Sequence, residues 1–287
     1  KLQEMIGEYE MSFVPRSLCV GDGSLYIPTD KSSLMHAVVE AQVQDSYQVE
    51  QSDPVEMPKV LIVDAMAVLQ SMKKDTAMQT LSDLKGAYIK RIESMMTGYA
   101  EGHVVFDRYI DSSLKNCTRQ KRATACREYQ VHEEMKLTMS LRDLLSSSRT
   151  KKDITRILAH GLLENFAKKS DFKLVVVYDT FIMCTANSEV CNHSHEEADT
   201  LIPGQVLAAI KDCTMREVCI WSPNTDVRIL LLDVVSHNHL GAQTRLKFLT
   251  DKRMEIHEID VVERANVIGI QKCQGLVGLH HFSGADW

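Results

Sequence analysis

Six acidic residues in five clusters stand at or near the ends of apolar runs, and they are where this chain could do chemistry. Asp64 closes KVLIV, Asp107 follows HVVF, Glu197 and Asp199 lie in HEEADT, Asp226 lies in SPNTDV, and Asp286 lies in HFSGADW. Carboxylates are costly to hold beside a hydrophobic sheet, so several of them at strand ends call for neutralisation by cations. All-oxygen ligands favour hard divalent ions, Mg²⁺ or Mn²⁺ first. The expectation is a metal-dependent nuclease.

Each acid also has a local explanation. Asp64, Asp199 and Asp226 each stand where a helix begins and could cap it, since aspartate is a leading N-cap residue. Capping gives no reason for several such residues to converge on one edge of one sheet. Glu197 and Asp199 are two apart and would diverge in a regular helix, but in a first, frayed turn both can address one ion. Glu196 and Asp199, three apart, share a helix face and form an alternative pair.

The elements that must position these acids alternate between strand and helix. KVLIVD reads as a buried strand, followed by a helix from about Thr76 to Gly98 with Leu81, Leu84, Tyr88, Ile92 and Met95 at intervals of three or four. HVVFD, KLVVVYD and EVCIWS read as three further strands. MKLTMSLRDLL and DITRILAHGLLENFAKK read as helices between the second and third, with SSSRTKK between them. Short all-apolar strands separated by helices imply an α/β fold, a mainly parallel central sheet flanked by helices. Ligands bind such sheets at the carboxyl ends of the strands, where Asp64 and Asp107 fall. Residues 1–57 read as an N-terminal arm and linker punctuated by Pro54 and Pro58, leaving 58–287 as the main domain.

With 287 residues and 44% hydrophobic content the chain can bury a full core. No run reaches the ~18 apolar residues of a membrane span, and the charged opening KLQEMIGEYEMSF does not suit a signal peptide. An intracellular protein with no membrane role is expected. The eight cysteines form no CxxC pair and suit reduced thiols. A start at Lys1 and a stop directly after GADW leave open a fragment of something longer.

The formal charge of −6 argues against bulk attraction to nucleic acid, but its distribution says more. Residues 115–127 carry Lys115, Arg119, Lys121, Arg122 and Arg127 with no acid among them, and Arg149, Lys151, Lys152 and Arg156 face only Asp153. Basic segments near an acidic cluster suit a polyanion gripped on one side by cationic side chains and on the other by metal. A solvated helix face is the plainer reading of either run.

Taken in order, VLIVDAMAVLQ, VVFDRYIDSSLKNCTRQKR, EEADT, SPNTDV and LVGLHHFSGADW resemble the successive motifs of the flap-endonuclease and PIN-like nuclease superfamily. Within it the chain looks most like a group of uncharacterised, often mobile-element-associated eukaryotic proteins with EEADT, SPDTDV and LHxFTGCD motifs. The resemblance covers roughly residues 59–287 and rests on order and spacing. It implies that Asp64, Asp107, Glu197, Asp199, Asp226 and Asp286 are catalytic carboxylates holding two Mg²⁺ or Mn²⁺ ions. It implies that Lys115, Arg119 and Arg122 contact the phosphate of a DNA or RNA substrate, and that a helical arch or cap spans about 113–168. Two-metal hydrolysis of a phosphodiester, with selectivity for structures such as flaps open to it, is the reaction implied. Asn224 stands where that family has the first aspartate of its D-x-D pair. The helical duplex-binding element that follows its G-x-D motif has no counterpart here.

Other constellations carry less. Cys184, Cys191, His193 and His195 have zinc-compatible types without compact zinc spacing, and a flexible loop leading into EEADT is the expectation there. His280 and His281 suit packing or solvation, and Ser222 has no nearby base signature for nucleophilic catalysis. Two readings compete with the nuclease: a catalytically degenerate nucleic-acid-binding or scaffold protein, and a small-molecule phosphohydrolase, for which the basic run at 115–127 is longer than needed.

Overall fold

The computed structural model describes residues 57–110, 127–186, 190–211, 216–237, 240, 244–252 and 255–284. Expectations about residues 1–56, Lys115, Arg119, Arg122 and Asp286 therefore lie outside the described residues. Contacts divide the chain into residues 48–274 and a second unit of 1–47 with 275–287, and the whole sheet belongs to the first.

Buried apolar runs make the centre of the sheet. β1 (Lys59–Asp64) buries four consecutive residues, Val60 to Val63, and β2 (Glu101–Val105) buries all of its residues. Strands covered on both faces read this way because neither face alternates with solvent. β3 (Lys173–Tyr178) and β6 (Glu217–Trp221) continue the pattern, each pairing in parallel with its neighbour. β7 (Arg245–Lys252) adds a fifth parallel strand beside β6. The ends are antiparallel: β4 (Phe181–Cys184) and β5 (Val190–Asn192) beyond β3, and β8 (Glu255–Asp260) beyond β7. The result is one mixed, mostly parallel sheet of eight strands, ordered β5-β4-β3-β2-β1-β6-β7-β8.

Helices cover both faces. α1 (Ala65–Ser71) follows β1 directly. α2 (Leu81–Met95) starts at a capping box, with Asp83 accepting from the Thr80 backbone and Thr80 from the Asp83 backbone. That box places the start five residues later than Thr76, the expected start. α3 (Leu141–Leu144) is one turn, and α4 (Ser148–Phe166) is the long helix packed on α2 and β3. Leu84, Tyr88 and Ile92 of α2 and Ile154, Leu158, Leu162 and Phe166 of α4 share a core with Leu61 and Val63 of β1. On the opposite face α5 (Ala198–Lys211) packs on β1 and β2, α6 (Thr225–Ser236) packs on α5, and α7 (Val261–Ile268) packs on α6 and β7. α8 (Ile270–Gly284) comes last in the chain. No described helix is long and apolar enough to cross a membrane.

Three expectations need correction, and a fourth, the arch, lies partly outside the described residues. Where a flexible loop was expected before EEADT, β4 and β5 form a ladder of half-buried or exposed residues, and their runs FIMC and VCN are too short to stand out as strands. β7 and β8 were not anticipated, because charged residues interrupt RLKFLTDK and EIHEID. Only Leu141–Leu144 of MKLTMSLRDLL is helical, and α4 begins inside SSSRTKK at Ser148. Of the arch expected over 113–168, residues 111–126 lie outside the described residues and 148–166 form a core helix, since their apolar stripe is needed to cover the sheet.

Candidate functional site

The chain lays down β1, β2 and β3 outward in one direction, then returns to place β6 on the other side of β1. The strand order thus reverses between β1 and β6, and the crevice at the carboxyl ends of such a pair is where open α/β sheets bind ligands. Val63 is in register with Trp221, so the next residues, Asp64 and Ser222, meet across this boundary. Asp64 is also in register with Val105, the last residue of β2, which puts Asp107 two residues past the end of the neighbouring strand.

Asp64 is the N-cap of α1: its Oδ1 accepts from the Ala67 amide at 3.0 Å. Its Oδ2 accepts from the Ser222 hydroxyl at 3.3 Å. Tyr88, fully buried, donates its hydroxyl to the Ala65 carbonyl at 3.1 Å and so holds the first residue of the turn in place. Burial pushes the Asp64 carboxyl up to about 6, and the charges of Asp107 and Asp199 add to the rise against the Ala67 and Ser222 hydrogen bonds.

Two bonds fasten the segment before α5 to the end of β2. The Arg108 amide donates to the Glu196 carbonyl at 2.7 Å, and the Ala198 amide donates to Asp107 Oδ1 at 2.9 Å. Asp107 therefore accepts from the first residue of α5, where the helix dipole favours an anion. Asp199 is the next residue; its Oδ1 accepts from the Thr200 amide at 2.8 Å and its Oδ2 from Asn224 Nδ2 at a long 3.5 Å. Asn224, not Asp226, is the N-cap of α6, with Oδ1 accepting from the Asp226 amide at 3.1 Å and its own amide donating to Ser222 Oγ at 3.1 Å.

A continuous path thus runs from Asp64 through Ser222 and Asn224 to Asp199, and one residue back along the chain to Asp107. Three of the expected carboxylates, Asp64, Asp107 and Asp199, are brought together from three elements. For Glu197 the structure fixes the backbone, whose carbonyl accepts from the Thr200 hydroxyl at 3.0 Å. Asp226 lies one turn position inside α6, beside the Asn224 cap. Among the described residues, no three His, Cys, Asp or Glu side chains close around a point that could hold an ion.

The donor set nevertheless suits a hard divalent cation in type and charge. One oxygen of Asp64, Asp107 and Asp199 is tied to a backbone amide. The second oxygen of Asp64 accepts the Ser222 hydroxyl at 3.3 Å and that of Asp199 meets Asn224 Nδ2 at 3.5 Å, long side-chain bonds that an ion would displace.

Three features were missed from sequence. Ser222, set aside as a nucleophile, is instead the hydroxyl joining the two sides of the crevice. Asp179 ends KLVVVYD as Asp64 ends KVLIVD, and the same rule would have found it. It takes φ 51° at the turn between β3 and β4 and pairs with Arg108 at 3.4 Å. The third feature is a cleft beside Asp107, lined by Lys152 and Arg156 of the second basic run and by Tyr178. A scan against protein-family models gives no match to this chain, and a search of curated proteins gives none either.

Proposed function

We propose that the chain is a metal-dependent nuclease that hydrolyses phosphodiester bonds in DNA or RNA, a PIN-like enzyme of the flap-endonuclease kind. The observation that supports this best is the gathering of Asp64, Asp107 and Asp199 at the point where the strand order reverses. Asp64, Asp107 and Asp199 would hold Mg²⁺ or Mn²⁺, with Glu197, Asp226 and Asp286 as further oxygen donors. Bound there, divalent ions supply activation of the attacking water and charge stabilisation at phosphorus. The protein's own part is positional. The Ala67, Ala198 and Thr200 amides orient the three carboxylates, Ser222 and Asn224 fix Asp64 and Asp199 relative to each other, and Lys115, Arg119 and Arg122 bind the substrate phosphates.

Asn224 favours a second reading, a catalytically degenerate nucleic-acid-binding protein. Its oxygen is occupied as the α6 cap and it turns an N–H toward Asp199, which quiets that carboxylate without an ion. Cleavage of labelled single-stranded and flapped DNA and RNA separates the two. The nuclease requires Mg²⁺ or Mn²⁺, stops in EDTA and is abolished by Asp64→Asn and Asp107→Asn. Binding without cleavage under all these conditions selects the second reading, and cleavage that survives EDTA refutes the metal mechanism.

A further inference from the structure

Next to the carboxylates the sheet edge opens into a cleft of about 310 Å³, one of whose lining residues is Asp107 itself. One wall is α4, on which the exposed residues Lys152, Arg156 and His160 recur every fourth position and so form a single stripe. Arg108 stands near Asp107, and Tyr178 and Phe181 flank the turn between β3 and β4. The Tyr178 and Phe181 rings lie 5.8 Å apart, and His160 meets Tyr178 edge-on at 5.4 Å with Nε2 3.2 Å from the phenol oxygen. Phe181 is 38% exposed, unusual for a large apolar side chain here.

The cleft also contains acids, and they limit what fits. Asp153 pairs with Arg156 at 3.7 Å and Asp179 with Arg108 at 3.4 Å. The Asp153–Arg156 pair is largely exposed and worth little, so a phosphate can compete for the Arg156 guanidinium, whereas Arg108 is more enclosed and stays with Asp179. A partly exposed aromatic ring, here Phe181 backed by the buried Tyr178, beside cationic side chains is the combination that binds unpaired bases: the ring takes the base face and the cations take the backbone. A duplex has no free base face to offer. The volume is that of a small-ligand pocket, about what one nucleotide fills.

We propose that this cleft is a nucleotide subsite for a single strand, in which one unpaired base stacks on Phe181 beside Tyr178 while Lys152 and Arg156 hold the adjoining phosphates. The inference rests on the proposed phosphodiester chemistry for its direction, since a strand seated here runs on past Asp107 to the carboxylates. It assigns the basic run of α4 to the substrate, and it makes the substrate single-stranded where it leaves the site.

The test is fluorescence anisotropy of a short labelled oligothymidylate and a blunt duplex of equal length, in EDTA so that nothing is cut. Wild type binds the single strand more tightly than the duplex. Phe181→Ala weakens single-strand binding about tenfold, whereas Phe181→Trp retains it. Lys152→Ala and Arg156→Ala each reduce the salt slope by about 0.7. Single-strand binding by Phe181→Ala equal to wild type, or an equal loss on the duplex, overturns the subsite. So does thymidine monophosphate competing as tightly as the oligonucleotide, which would make the cleft a mononucleotide pocket. Wild-type cleavage with Mn²⁺, assayed alongside, separates the two ideas. Cleavage with unaltered Phe181→Ala binding refutes the subsite alone, and the expected binding pattern without cleavage refutes the nuclease while upholding the strand site.

Discussion

Ser222 Oγ donates to Asp64 Oδ2 at 3.3 Å across the boundary between β1 and β6. The same hydroxyl oxygen accepts the Asn224 amide at 3.1 Å, so its only proton is directed at the carboxylate. The contact is built by parallel register, one residue past the Val63–Trp221 pair, and links the cap of α1 to the cap of α6. It lowers the cost of keeping Asp64 ionised, yet burial and the neighbouring acids outweigh it.

Asp64 should therefore make the ion-free protein less stable as pH rises. The unfolded carboxyl releases its proton near 3.8 and the folded one near 6, so stability falls across that window and the full loss stands above it. The upper limit is ~3 kcal/mol. Asp64→Asn keeps a good N-cap and removes the charge. Calorimetry should find the variant melting several degrees above wild type at about pH 8 and level with it below about pH 4. Adding Mn²⁺ should raise the wild-type melting temperature and leave the variant unmoved, because only the wild type gains a ligand-bound state. A wild type indifferent to Mn²⁺ would count against ion binding at Asp64.

At the other end of the strands, Glu101 carries the opposite dependence. Burial would raise its carboxyl, but the His103 and Lys173 hydrogen bonds and charges prevail and hold it at about 2. Lys173 and Arg216 each approach its oxygens to 2.7 Å, and His103 joins it at 3.0 Å while also meeting Gln205 of α5 at 2.9 Å. Its stabilising contribution, ~3 kcal/mol at most, is complete above about pH 4.5 and is lost as pH falls toward about 2. Glu101→Gln should lower the melting temperature at neutral pH and converge with wild type in acid. An unchanged acid-unfolding midpoint would show that the ion pairs contribute nothing net.

How much was legible depended on burial. KVLIVD, KLVVVYD and EVCIWS announce themselves because a strand covered on both faces must be apolar throughout, and Leu81, Leu84, Tyr88 and Ile92 because one helix stripe faces the core. Asp64 and Asp107 followed from the same rule, as the first polar residues after such strands. β7 and β8 escaped because charged residues such as Lys247, which pairs with Glu217 and Glu258, break the apolar run. Glu101 and His103 escaped because burial of a polar residue depends on partners distant in sequence. Ser222 depended on register, and the cleft on a hairpin whose four-residue run FIMC is too short to announce a strand.

The basic run outside the described residues has a test of its own. If Lys115, Arg119 and Arg122 contact phosphates, each alanine substitution should lower the salt slope of nucleic-acid binding by about 0.7 to 0.9 and weaken all sequences alike. Three unchanged slopes would return these residues to a solvated helix face.

Asn224 decides between enzyme and binder, and its geometry makes the experiment specific. Aspartate at this position still accepts the Asp226 amide, so the α6 cap survives Asn224→Asp. What changes is the face toward Asp199, where an N–H donor at 3.5 Å becomes a second carboxylate. Without ions the two anions repel, and Asn224→Asp should melt below wild type at neutral pH. With Mg²⁺ or Mn²⁺ the added charge becomes a ligand, and ion affinity should rise about tenfold, since charge count sets affinity at oxygen sites. Cleavage in Mg²⁺ should rise with it, whereas the wild type should cut slowly and prefer Mn²⁺, and Asp226→Asn should cut less than the wild type. Unchanged ion affinity and cleavage in folded Asn224→Asp would put this residue outside the site. Two inert proteins that still bind nucleic acid would make the Asn224–Asp199 hydrogen bond the replacement for an ion, and the chain a binding protein.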